Sequence, residues 1–492
     1  MGKAQSYLKG KVSTLGRDKS NDDKLTLIVD PSNILQDQIL GTVYGNCIGD
    51  AIGLMTEFLN KEQACKYYSG KHLEYSMKAI TAEHFFHQMV FPEADWTDDS
   101  DQMILILQSL MENDGQAVAT DFAEKLVTWR CSGFPELGDT CGMGLGRTTG
   151  QVLRSDNFKT DPHKVAETVW ENGSRFVAPN GGVMRTSIAG VHRFDDIQQV
   201  ISNTKVFCKV THADPRCVAS CVAVTTAIAM MLQGMHRKSN GSYKVDSLIE
   251  AAFDYAKECL LRDDEGNLKE RQVEELKFHM NASLPELKLD DRQRIGYTFK
   301  CLGAGFWALR QKNFREAIEA ITLEGGDADT NGAVAGALLG CKLGYKKIPP
   351  TWRNELTHKK WLDDILVRYF EMGIKSEGSG TPVDAPQSES ILKAAESSET
   401  DNIENQAQHS EGKTSDGTNS VPSLPSAEVK DQSSDVKTEP NADTQQGGSS
   451  EVELQNESSK VTDQIEVKGQ VDLVGDDPQI DGGAKRKLEE TS

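Results

Sequence analysis

The chain has 492 residues and a formal net charge of −21, from 54 basic and 75 acidic side chains. That balance excludes a general nucleic-acid binder, which needs clustered Lys and Arg against phosphate. Most of the charge is local: 376–492 holds 25 acidic and 9 basic residues, a net of −16, and no Phe, Tyr or Trp.

Residues 1–35 are polar, with one short apolar run from Leu25 to Val29, and are expected to be a poorly ordered extension. Met1 to Gly16 lacks the apolar core of a signal peptide, so no export is expected. The fold is assigned to 36–375, where apolar residues recur mostly at helical spacing and strand-like alternation is scarce. Its first helix carries Gly41, Gly45, Gly49 and Gly53, one glycine every four residues. Spacing by four aligns glycines on one ridge of a helix, at a cost of about 1 kcal/mol each relative to Ala. Gly332, Gly336 and Gly340 repeat the pattern late in the chain, and the two helices are expected to pack in one core. Glu57 follows the first ridge, where a single Glu at a helix end ordinarily needs no functional explanation.

Trp96-Thr97-Asp98-Asp99-Ser100-Asp101 opens the next clear helix, whose face is Met103, Ile104, Leu107 and Leu110. Thr97 suits an N-cap, and carboxylates suit a helix start. Three Asp in four residues exceed that need, and a bound cation would relieve their repulsion. Phe122, Leu126 and Trp129 mark another helix. Gly142-x-Gly144-x-Gly146 departs from a dinucleotide fingerprint, because Thr149 stands at the third glycine and no strand precedes it. Asn180-Gly181-Gly182 reads equally well as a turn or as a loop whose N–H groups cradle phosphate, with Arg185 adding a fork of donors.

Thr211-His212 precedes a nearly all-apolar stretch, Val218 to Leu232, expected as a central buried helix and not a membrane span. Cys217 and Cys221 on it read as small buried thiols, and the ten cysteines contain no CxxC pair. Asp327-x-Asp329-x-Asn331-Gly332 begins like a calcium loop, but Leu338 stands where a bidentate Glu is required. Helices are also expected over Ile318–Leu323 and Trp361–Met372. The acidic segment 376–492 cannot bury enough apolar surface to order itself, and is expected to be a disordered tail that engages unknown protein partners. With no export expected, the cytoplasm is the expected location; the short basic run Lys485-Arg486-Lys487 reads more often as solvated charge than as a nuclear signal, which leaves the nucleus as the alternative.

Two clusters of Asp and Thr, each at a helix start, suit a composite site for hard cations such as Mg²⁺ or Mn²⁺. Their lack of His and Cys disfavours zinc. Taken in order, Gly45 through Glu57-Phe58, Trp96-Thr97-Asp98-Asp99, Gly146-Arg147-Thr148-Thr149, Asn180 to Arg185, Thr211-His212 and Gly325 to Thr330 resemble the ADP-ribosylglycohydrolase family, of the dinitrogenase-reductase-activating type. The resemblance covers roughly 38–350. It implies a compact, orthogonal all-α bundle with two magnesium ions, and hydrolysis of the bond joining ADP-ribose to a protein side chain or another conjugate. On this resemblance Thr97, Asp98, Asp99, Asp327, Asp329 and Thr330 hold the metals, and Glu57 is a ligand or gate beside them. Asn180, Gly181, Gly182 and His212 contact the ADP-ribose, with Arg185 beside them. The family often places a general-base Asp where this chain has Gly144; Asp139 is the nearby substitute. The alternative is an inactive ADP-ribose binder or a crystallin-like structural protein of the same fold.

Overall fold

The computed structural model describes residues 33–77 and 91–372, which leaves 376–492 and nearly all of the N-terminal extension outside the described residues. Sixteen α-helices are described. The first six are α1 (Ile34–Gly53), α2 (Lys61–Tyr68), α3 (Asp98–Glu112), α4 (Ala119–Ser132), α5 (Arg147–Leu153) and α6 (Pro162–Asn172). The next five are α7 (Ile197–Lys209), α8 (Pro215–Leu232), α9 (Val245–Lys257), α10 (Glu270–Asn281) and α11 (Leu284–Leu287). The last five are α12 (Thr298–Arg310), α13 (Phe314–Thr322), α14 (Ala328–Leu343), α15 (Pro350–Glu355) and α16 (Lys359–Met372). Among the described residues, β-pairing is limited to three isolated bridges. The expected all-α bundle is therefore observed.

The two glycine ridges meet. Gly41 faces Gly340, Gly45 faces Gly336, Gly49 faces Gly332, and Gly53 faces Ala328. At each of these four positions on α1 a Cβ would fall within 3.0 Å of the opposing carbonyl. Here α1 and α14 run antiparallel, backbone against backbone, and only glycine permits that approach. The pair is buried over almost its whole length.

Helix α8 packs against α7, α9, α12 and α14. Asp214 caps it and Pro215 opens it. By length and composition α8 could cross a membrane, yet 89% of that window is buried inside the fold. Its polar side chains turn back on their own helix: Ser220, Thr225 and Thr226 hydroxyls donate to the carbonyls of Arg216, Cys221 and Val222 at 2.9, 3.0 and 2.6 Å. Helices α3, α4, α13 and α16 fall where the apolar spacing places them.

Candidate active site

The ridge pairing decides where the acidic residues go. The C-terminus of α1 and the N-terminus of α14 lie at the same end of the pair, because Gly53 meets Ala328 and Asp329. Beyond Gly53 the chain turns through 54–59 and is tied to the turn before α14. The Phe58 N–H donates to the Gly326 carbonyl at 2.7 Å, and the Gly326 N–H donates to the Leu59 carbonyl at 2.8 Å. Gly325 and Gly326 both adopt positive φ, +67° and +75°, which this turn requires. Phe58 does so as well, at φ 64°, an uncommon conformation for a bulky residue. The result is a triad: carboxylate oxygens of Glu57, Asp327 and Asp329 all lie within 4.8 Å of one another.

The second cluster arrives at the start of α3. Thr97 caps that helix, as its sequence suggests: its hydroxyl accepts from the Asp99 N–H at 3.4 Å and donates to Asp99 Oδ2 at 3.3 Å. Thr330 hydrogen-bonds with both Asp99 and Asp327, and Asn180 donates to Asp327 Oδ2 at 2.7 Å. Asp98, Asp99 and Asp329 are buried. Burial first, and then neighbouring negative charges, hold all three well above the usual carboxylate range. The opposing charges include Asp50, Asp98 and Asp327 for Asp99, and Glu57 and Asp99 for Asp329. Burial and Glu57 raise Asp327 to about 6.

Such a concentration of mutually repelling, dehydrated carboxylates suits a cation. The fit is supported by Asp99 Oδ1, which is buried and has no hydrogen-bond partner. Every donor is oxygen, the set a hard divalent ion prefers. The Glu57, Asp327 and Asp329 triad is an acidic cluster able to coordinate a metal ion.

Asp50, which the sequence reading leaves out of the site, holds α3 in place. It is fully buried within α1 and accepts from the Thr97 N–H (3.1 Å), the Ser100 N–H (3.1 Å) and the Ser100 hydroxyl (2.6 Å). Its signal in the sequence is a carboxylate beside Gly49 on the ridge of a buried helix, far from the helix start where Asp37 sits. Asp50→Ala strands these three buried donors. It is expected to cost about 3 kcal/mol in a denaturant melt, since hydrogen bonds to charged groups contribute about 1.5–3 kcal/mol.

The turn 180–182 lies across from the carboxylates. Asn180 accepts a place there through its N–H, which donates to the Gly296 carbonyl at 2.9 Å. A Cβ on Gly181 would lie 2.9 Å from His212 Cε1, so loop and imidazole are in contact. Beyond His212 is a cavity lined by Thr148, Gln151, Trp170, Val177 and Pro179.

Two expected site residues lie elsewhere. Arg185 does not face the loop: it is fully buried, and its guanidinium donates to Gln102 Oε1, the Phe207 carbonyl and Thr211 Oγ1. Both terminal nitrogens are engaged inside the fold, and Nε is buried without a hydrogen-bond partner, so the guanidinium is not placed as a phosphate clamp. Asp139 is exposed and accepts from the Phe134 N–H at 3.0 Å, on the side of Asp101 and His358.

Comparison with known proteins agrees with this geometry. Residues 31–378 match the ADP-ribosylglycohydrolase family. The chain belongs to that family. It is 24% identical to the ADP-ribosylarginine hydrolase Tri1 of Serratia proteamaculans, over 70% of this chain and 81% of the relative. It is 23% identical to the ADP-ribosyl-[dinitrogen reductase] glycohydrolase of Rhodospirillum rubrum, over 66% of this chain and 92% of the relative. A solved ADP-ribosylglycohydrolase-related protein complex aligns at a TM-score of 0.48 and 20% identity, covering 69% of this chain and 98% of that one.

Gly144, where the resemblance leads one to expect Asp, sits where a side chain does not fit. It adopts φ +85°, and a Cβ there would lie 2.5 Å from Asp98 Oδ1. Gly144→Asp therefore does not restore a family carboxylate. It is expected to lower thermal stability by at least about 1 kcal/mol, from backbone strain alone, and to weaken Mn²⁺ binding measured by electron paramagnetic resonance.

Proposed function

We propose that this chain is a metal-dependent hydrolase that cleaves the glycosidic bond of ADP-ribose attached to a protein side chain or to another conjugate. The observation that carries this reading is the convergence of Glu57, Asp327 and Asp329 from distant parts of the sequence, within a chain of the ADP-ribosylglycohydrolase family. Asp98 and Asp99 join them from α3, and the hydroxyls of Thr97 and Thr330 orient the carboxylates. This donor set would hold two Mg²⁺ ions, with Mn²⁺ as a substitute. When bound, such ions supply Lewis acidity and a water of lowered pKa.

The chain's own groups do the rest. Asn180 ties the substrate loop to Asp327, so the ADP-ribose is held at a fixed distance from the carboxylates. The N–H groups of Gly181 and Gly182 begin a helical turn, where no preceding helical carbonyl claims them, and they suit phosphate oxygens. His212 contacts the same loop. Buried carboxylates close to the anomeric carbon would stabilise the oxocarbenium character of the departing sugar. Glu57, the member of the triad that comes from the turn after α1, can also gate access to the site.

The test is release of free ADP-ribose from arginine- and serine-linked ADP-ribosylated peptides with Mg²⁺. Release by the native chain, lost on chelation, establishes the reaction and names the linkage. Gly144 favours a second reading, an ADP-ribose-binding protein without turnover. Binding of ADP-ribose with no release from any peptide would establish that one instead.

A further inference from the structure

A hydrogen-bonded chain that no step above uses joins the carboxylate cluster to the substrate loop. Gln102 Nε2 donates to Asp98 Oδ2 at 2.6 Å, and Gln102 Oε1 accepts from Arg185 Nη1 at 2.7 Å. Arg185 Nη2 donates to Thr211 Oγ1 at 2.7 Å and to the Phe207 carbonyl at 3.1 Å. Thr211 Oγ1 then lies 2.7 Å from His212 Nδ1. Gln102 and Arg185 are fully buried, and Thr211 and His212 nearly so. The Arg185 guanidinium sits over the Phe122 ring, 5.1 Å from its centroid.

The direction of each bond follows from donor chemistry. Arginine has donors only, so Thr211 Oγ1 must accept from Arg185. The hydroxyl keeps one proton to give, and it meets no other acceptor among the described residues than His212 Nδ1. That nitrogen therefore accepts, and a neutral ring carries its proton on Nε2. Burial, and then the Arg185 charge, hold His212 well below the ordinary imidazole range, which keeps the ring neutral. The Nε2 atom faces the substrate loop: a Cβ on Gly181 would lie 3.0 Å from it. At the other end the same logic fixes the Gln102 amide, whose oxygen must face Arg185 and whose nitrogen must face Asp98.

We infer that Arg185 is a positioning residue that fixes His212 as an Nε2–H donor through Thr211 and fixes the Asp98 carboxylate through Gln102. His212 then recognises an acceptor oxygen of the ligand, such as a ribose hydroxyl or phosphate oxygen, and is not a general base. The assignment of the ligand oxygen rests on the proposed function; the tautomer and the Asp98 contact do not.

The experiment is long-range ¹H–¹⁵N correlation of the full chain with ¹⁵N-labelled histidine, with His212 assigned by its loss in His212→Gln. The expected spectrum has a protonated Nε2 and an unprotonated Nδ1. Thr211→Val is expected to abolish that preference, and Thr211→Ser to restore it. Arg185→Met is expected to do the same as Thr211→Val; because it removes a buried charge and can unfold the chain, Thr211→Val is the deciding variant. A protonated Nδ1 in the native chain, an imidazolium at neutral pH, or a Thr211→Val spectrum identical to the native one would overturn the assignment. For the other end, Gln102→Met is expected to weaken Mn²⁺ binding, read by electron paramagnetic resonance, by about 10-fold or more, the range for partners that orient metal ligands. Unchanged Mn²⁺ affinity would overturn the Asp98 half. Failure of the native chain to release ADP-ribose, with the Nε2–H spectrum intact, would count against the proposed function alone.

Discussion

Asp327→Asn and Asp98→Asn are each expected to lower ADP-ribose release by about 100-fold or more, because metal assistance contributes several kcal/mol and each 1.4 kcal/mol is about a factor of ten. The same substitutions should make the metal-free protein more stable. Asp98 and Asp327 are both pushed upward by burial and by neighbouring carboxylates, so neutralising either removes repulsion from the folded state. The sign of the pH dependence follows. Asp327 titrates at about 6 in the fold, above an ordinary carboxylate. Between about pH 4, where an unfolded Asp ionises, and pH 6, the folded state binds more protons than the unfolded one. Metal-free stability therefore falls as pH rises through that window. It keeps falling above it, as the buried Asp50 and Asp101, pushed up to about 7 and about 8, lose their protons. With Mg²⁺ bound, the ionised forms are favoured and the slope should flatten. Thermal melts at pH 5 and pH 8, with chelator and with Mg²⁺, measure this. A chelated protein more stable at pH 8 than at pH 5 would contradict it.

Gly336→Ala is expected to destabilise the fold by about 3 kcal/mol or more, beyond the usual cost of overpacking, because the opposing atoms are main chain and cannot swing aside. At an exposed helical site the same change stabilises by about 1 kcal/mol. A Cβ on Gly336 would fall within 3.0 Å of the Gly45 carbonyl. The helices must part, and parting them moves Gly53 from Ala328, the contact that brings Glu57 to Asp329. Loss of stability should thus come with loss of metal affinity. Gly146, with open space around it and φ −61°, is the control for position. Guanidinium melts and Mn²⁺ titration of Gly336→Ala beside the native chain decide the matter.

The ridge pairing was legible because a glycine every four residues has few explanations other than close helix contact. The two Asp clusters were legible because carboxylates at helix starts beyond capping need imply a cation. Legibility ended where burial decided the role. Arg185 follows Asn180-Gly181-Gly182 and reads as a ligand fork, yet its guanidinium points inward to Gln102 and Thr211. Periodicity cannot separate those cases within a short irregular segment. Asp139 is near Gly144 in sequence, and its carboxylate accepts from the Phe134 N–H in the structure. Asp50 lies some fifty residues from its partners, Thr97 and Ser100, and spacing along the chain does not reveal that contact.

The glycine contact also orders events in time. Gly41 and Gly340 touch, although nearly three hundred residues separate them in the chain. At about 5–20 residues per second, the ribosome delivers α1 roughly 15–60 s before its partner. Through that interval the ridge of α1 has no backbone to meet, and Glu57, Asp98 and Asp99 exist as half a site. Such a long-range pairing is a late, slow step. The acidic cluster able to coordinate a metal ion is thus completed with the closing of the fold, and on the proposed function a metal would act as a latch on a finished domain and not as a seed for an unfinished one.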